Sequence, residues 1–97
     1  TTPGQSKLHY SPGIPIKLNT TKPKPNEAFI LVKKRKKSYK NYYYLSKNKN
    51  LKQAAKNLYR ILRAIKNKNY KSIVVEKIPN NGFGEAINDR LKRASVK

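Results

Sequence analysis

Two glycines stand two residues apart in "NNGFGEAI", where Gly82 and Gly84 separate a run of turn formers from a short amphipathic segment. Glycines between a strand and a helix let backbone N–H groups approach a phosphate, and the helix dipole favours the anion. The dinucleotide fingerprint would need a third glycine or alanine where Ile87 stands, and Glu85 in the first helical turn would repel a phosphate. The competing reading is a packing corner: Gly82 and Gly84 permit a tight turn and Phe83 plugs the core. Both readings stay open on the sequence.

A second constellation is "KKRKKSYKNYYY", residues 33–44, which interleaves cations with aromatic rings. Charge for the backbone and rings for the bases suit single-stranded nucleic acid. A solvated loop leading into a half-buried strand has the same composition. Lys52, Lys56, Arg60 and Arg63 add a basic stripe to a predicted helix, as the exposed face of many amphipathic helices does. The formal net charge of +20 fits a polyanion partner, such as a tRNA contacted weakly through the basic surface. Yet the cations are nineteen Lys and five Arg beside eleven Asn, a bias that A/T-rich codons also produce. Arginine, the residue suited to bidentate base contacts, is the scarcer cation.

Catalytic chemistry has little material. Four acids, one histidine and no cysteine leave few acid–base pairs and exclude thiolate nucleophiles and cysteine-rich zinc sites. A metal site with several histidines cannot be built from His9 alone. No catalytic residue and no metal ligand is therefore assigned. His9 and Tyr10, adjacent in a linker-like segment, point to a site completed by something outside this chain. The longest apolar run, Ala28 to Val32, is far too short to span a bilayer, and the expected location is the cytoplasm.

The elements that must position these groups follow from periodicity. Residues 1–12, with Pro3 and Pro12, read as an extended segment. "IPIKLN" (14–19) is a first strand, with Pro15 suited to its beginning or to a sheet edge. "AFILVK" (28–33) is a central strand covered on both faces, and "YYYLS" (42–46) is a third. A helix starts near Leu51 behind the N-cap Asn50, carries one apolar stripe to Ile65, and stops at "NKN" (67–69). "SIVVEKI" (72–78) is a buried strand. The last helix, 85–94, turns Ala86, Ile87, Leu91 and Ala94 inward. The order β-β-β-α-β-α implies a small α/β sandwich with a mostly parallel sheet and helices packed on it. The short loops between the first strands leave room for an antiparallel edge.

Two blocks carry a resemblance. "PGQSKLHYSP" (3–12) is similar to the linker motif of the two-domain threonylcarbamoyl-AMP synthases. "LKQAAKNLYRILRAI" with "GFGEAINDRLKRA" resembles the helix and terminal motif of the C-terminal domain of those enzymes. Gln5 stands where the family commonly has Met, and Lys66 where it often has Asp. The resemblance implies that residues 1–13 are an interdomain linker and 14–97 a Rossmann-like accessory domain. It implies a partner, an N-terminal YrdC-like catalytic domain, whose position upstream would account for the missing Met. That domain joins L-threonine, bicarbonate and ATP, with Mg, into threonylcarbamoyl-AMP for tRNA modification. It further implies that Pro3, Gly4, His9, Tyr10 and Pro12 of the linker fold over the catalytic cleft. A stand-alone basic RNA-binding module is the alternative. A third reading is an independent nucleotide-binding domain, with ATP held near Gly82 and Gly84.

Overall fold

The fold is built around a run of five residues that are all buried. A computed structural model describes residues 14–95 of the chain. Its order is β1 (Ile16–Lys17), β2 (Glu27–Leu31), β3 (Tyr42–Tyr44), α1 (Leu51–Lys66), β4 (Ser72–Val75) and α2 (Phe83–Ser95). Among the described residues, these four strands form one sheet in the order β1-β4-β2-β3, and their pairings with one another are parallel. β2 and β4 lie inside, which is why "EAFIL" and "SIVV" are apolar almost without alternation. Ala28 is in register with Ile73, and Phe29 with Val74.

The edge that the short loops left open to antiparallel pairing is parallel. β2 reaches β3 through residues 32–41 without a helix, because the loop runs beside the sheet. Phe29 N–H donates to Asn41 O at 2.8 Å, and Asn41 Nδ2 donates to Glu27 O at 2.7 Å. Among the described residues, antiparallel pairing is limited to one isolated bridge, Lys33 with Asn48. The strand–helix–strand unit β3–α1–β4 does not join neighbouring strands. β3 and β4 point the same way, but β2 is inserted between them. The most apolar strand takes the place with a neighbour on each side.

Local signals set the element ends. The Asn50 side chain accepts from Gln53 N at 3.0 Å and caps α1, while Asn67 N–H donates back to Ala64 O. β1 ends as Asn19 turns into the left-handed region at φ 55. Pro15, with no N–H to offer, lies at the start of this edge strand, and its carbonyl accepts from Ile73 N at 2.8 Å.

One face of the sheet receives both helices. Ala28, Ile30, Ile73 and Val75 meet Leu58, Ile61 and Leu62 of α1 and Ile87 and Leu91 of α2 in a single cluster. Gly84, not Ala86, heads the buried stripe of α2, and Ala86 is exposed. Phe29, Leu31 and Val74 point to the opposite face, where Tyr42 and Tyr44 pack beside them. The Arg35 guanidinium lies 5.5 Å from the centre of the Phe29 ring, and Tyr39 meets Tyr42 edge-on at 5.1 Å.

The N-terminal end of the central pair is held by a buried carboxylate. Glu27 Oε2 accepts from Lys17 Nζ at 2.9 Å and from the Ser72 hydroxyl, and Oε1 accepts from Lys24 N at 2.8 Å. These bonds, Lys17's above all, lower its pKa from 4.5 to about 2 against the opposing effect of burial. Because the folded value is depressed, the stabilisation is complete above pH 4.5 and is lost as pH falls through 2. Glu27→Gln is expected to lower unfolding free energy by about 1–3 kcal/mol at pH 7. In urea titrations the deficit should shrink progressively below pH 4.5; a deficit unchanged at the lowest pH would refute this role.

Candidate functional site at the carboxyl edge of the sheet

In a parallel sheet, a crevice opens where adjacent strands send their connections to opposite faces. β2 and β4 are such a pair. The chain leaving β2 passes over the face of Phe29, where Arg35 stacks. The chain leaving β4 buries Ile78 in the helical cluster and enters α2. Between these exits lies a crevice of about 920 Å³. Residues 32–36 form one wall, Glu76, Lys77 and Pro79 the other, and Lys49 closes it from the turn before α1.

Its electrostatics are one-sided. Lys33, Lys34, Arg35, Lys36, Lys49 and Lys77 line it beside a single carboxylate, Glu76. Both Glu76 oxygens are turned to the loop: Oε1 accepts from Val32 N at 3.1 Å, and Oε2 meets the Arg35 guanidinium at 3.4 Å. Glu76 thereby ties the β2 exit to the β4 exit. Among the described residues, the five lysines form no ion pair. Lys49 sits in the left-handed region at φ 62, unusual for a residue with a long side chain. The turn is held by the Ser46 hydroxyl oxygen, which accepts from Asn48 N at 3.3 Å and Asn50 N at 3.0 Å.

Gly82 and Gly84 lie at the start of α2 and do different jobs. Gly82 takes φ +54 with open space beside it. A Cβ on Gly84 would fall 1.9 Å from Pro79 O, so the helix meets the preceding loop backbone-to-backbone. The N–H groups of Gly84 and Glu85 both donate to Asn81 O, at 3.0 and 3.3 Å. Phe83, expected to plug the core, is 50% exposed, since glycine at 84 takes the inward position. Asn88 Nδ2 fastens the corner from the next turn by donating to Ile78 O at 3.0 Å.

The basic–aromatic stretch is split by the fold. Lys33 to Lys36 enter the crevice, whereas Tyr42 and Tyr44 sit half-buried on the far face. Tyr43 points the other way; its hydroxyl lies 3.0 Å from that of Tyr70, and burial, followed by this bond, pushes its pKa up to about 12. Lys52, Lys56, Arg60 and Arg63 are exposed on the outer side of α1, away from the crevice lining. Sequence reasoning missed Lys49, Glu76 and Lys77, which are separated along the chain and meet only through the strand order. Pro3, Gly4, His9, Tyr10 and Pro12 lie outside the described residues. Among the described residues, no three acids or histidines cluster to hold a metal ion, and no helix is long and apolar enough to cross a membrane.

A small parallel α/β domain with its crevice at the carboxyl edge is thus the class that the fold defines. The chain belongs to the threonylcarbamoyl-AMP synthase C-terminal domain family, whose model matches residues 1–96. Its fold is similar to part of P. abyssi Sua5, seen in a crystal structure complexed with L-threonine. The TM-score is 0.67 at 19% identity over 89% of this chain, which spans only 29% of that protein. No curated protein matches the chain.

The two glycines separate experimentally. Gly84→Ala is expected to cost about 1–3 kcal/mol through overpacking against backbone, and Gly82→Ala about 1 kcal/mol through its left-handed φ alone. In thermal melts, a Gly84 variant no less stable than wild type would rule out the packing corner.

Proposed function

We propose that this chain is the accessory domain, with its gating linker, of an L-threonylcarbamoyladenylate synthase. The family match across both the linker block and the α/β domain carries this reading. An N-terminal YrdC-like domain would join L-threonine, bicarbonate and ATP into threonylcarbamoyl-AMP and pyrophosphate. The product would serve threonylcarbamoyladenosine modification of tRNA. ATP and Mg would act in that domain. The carboxylates described here do not cluster, and Glu27 and Glu76 are engaged in tying strands together.

The chemistry asks for a cover. An acyl adenylate hydrolyses when water reaches it, and a tethered strip that closes the cleft excludes water until release. Residues 1–13, which include Pro3, His9, Tyr10 and Pro12, would supply such a strip. Residues 14–97 anchor it. A weak, salt-sensitive tRNA contact through the exposed lysines is consistent with this arrangement.

The test compares an N-terminal catalytic domain joined to this chain with the same domain alone and with a fused His9→Ala/Tyr10→Ala variant. Threonylcarbamoyl-AMP and its hydrolysis products are followed by chromatography while ATP is consumed. The fused protein should keep several-fold more intact adenylate per ATP used than either comparison. Equal retention by the catalytic domain alone would sink the gating role.

A further inference from the structure

We propose that the crevice between the β2 and β4 exits is a binding site for a small polyphosphate anion, of diphosphate size or larger. The inference stands on the geometry of this edge and does not depend on the domain's role in the synthase.

Three observations converge on it. The crevice lies at the point where the two central strands send their chains to opposite faces, the place where open parallel sheets accept ligands. Its volume, about 920 Å³, suits a nucleotide-sized molecule. Its cations arrive from three separate segments: 33–36 after β2, Lys49 before α1 and Lys77 after β4. Several cations on separate walls suit an anion with more than one phosphate group, since each lysine acts as a point charge on a phosphate.

The charge of the single carboxylate is offset by its ion pair with Arg35, which leaves five lysines in the lining. Both of its oxygens are engaged by Val32 N–H and Arg35, so Glu76 holds the walls together and steadies the guanidinium. Lys49 adds a further sign. Its left-handed backbone costs about 1–2 kcal/mol relative to an ordinary conformation, and glycine would remove that cost. The lysine that stands there lines the crevice. The site is distinct from the α2 N-terminus, where Gly84 and Glu85 already donate to Asn81 O.

A concave, cation-walled site favours a compact anion over an RNA strand. A nucleic-acid strand would need stacking rings continuous with the charge. Here the ring that Arg35 covers, Phe29, is fully buried, and Tyr42 and Tyr44 are half-buried beside it, so none of the three offers a free stacking face.

The test titrates the 97-residue chain with sodium pyrophosphate, and separately with ATP, at physiological salt. Amide NMR shifts and calorimetry give the readouts. Saturable one-site binding of both anions is expected, with shifts concentrated at 32–36, Lys49 and Lys77. Lys33→Gln/Lys77→Gln should weaken binding roughly tenfold or more. Lys52→Gln/Lys56→Gln, which removes the same charge from the outer face of α1, should change it less than about twofold. Lys49→Gly should weaken binding while raising the melting temperature, an opposite pair of effects that a structural role would not produce.

Equal weakening by the two double variants would reduce the effect to net charge and overturn the site. So would shifts spread over all surface lysines, or the lack of saturation. A short single-stranded RNA that displaces pyrophosphate and binds more tightly, with shifts extending to Tyr39 and Tyr42, would overturn the small-anion assignment. Far-UV circular dichroism confirms that each variant is folded.

Discussion

The parallel pairing of β2 with β4 is the constraint on which the rest depends. Both strands are covered on both faces, so their backbone groups have no water to turn to and must meet each other in register. Two carboxylates close the ends of that pair. Glu27 joins the start of β2 to Ser72 and Lys17, and Glu76 joins the end of β4 to Val32 N–H and Arg35. Half of the chain's four acids are therefore spent on one strand pair in a protein with a formal charge of +20. Glu27 stays ionised through its bonds to Lys17, Ser72 and Lys24.

The same pairing makes the crevice. With β2 and β4 adjacent, the loop to β3 passes over one face while the segment to α2 passes to the other, and their separation opens the carboxyl edge. The Gly84 corner matters here through its position. Close approach to Pro79 O seats α2 against the sheet and fixes Pro79, itself part of the crevice wall. Gly84 thus shapes the crevice from behind, while the helix-start N–H groups of Gly84 and Glu85 are directed at Asn81 O.

In the proposed synthase role, linker and domain would divide the work. A strip that opens and closes needs a fixed end, and the packed layer of Leu58, Ile61, Leu62, Ile87 and Leu91 under the sheet supplies one. Polyphosphate binding at the carboxyl edge would give the accessory domain a ligand of its own.

Much of the fold could be read from single residues. Asn50 capped α1 as its side chain predicted, the stripe from Leu51 to Ile65 placed the helix, and "AFIL" and "SIVV" announced strands covered on both sides. These are short-range effects, set by hydrogen-bond reach within a turn and by the burial of consecutive side chains. The family blocks likewise lie in continuous stretches. The sequence could not order the sheet: β2 entered between β3 and β4, and the edge ran parallel through a loop with no helix. Nor could it show that Phe83 faces outward, since that follows from backbone contact between Gly84 and Pro79. Lys33, Lys49, Glu76 and Lys77 look like unrelated surface charges along the chain. They became neighbours only when the strand order was set, because long-range pairing, and no local propensity, decides which loops share an edge.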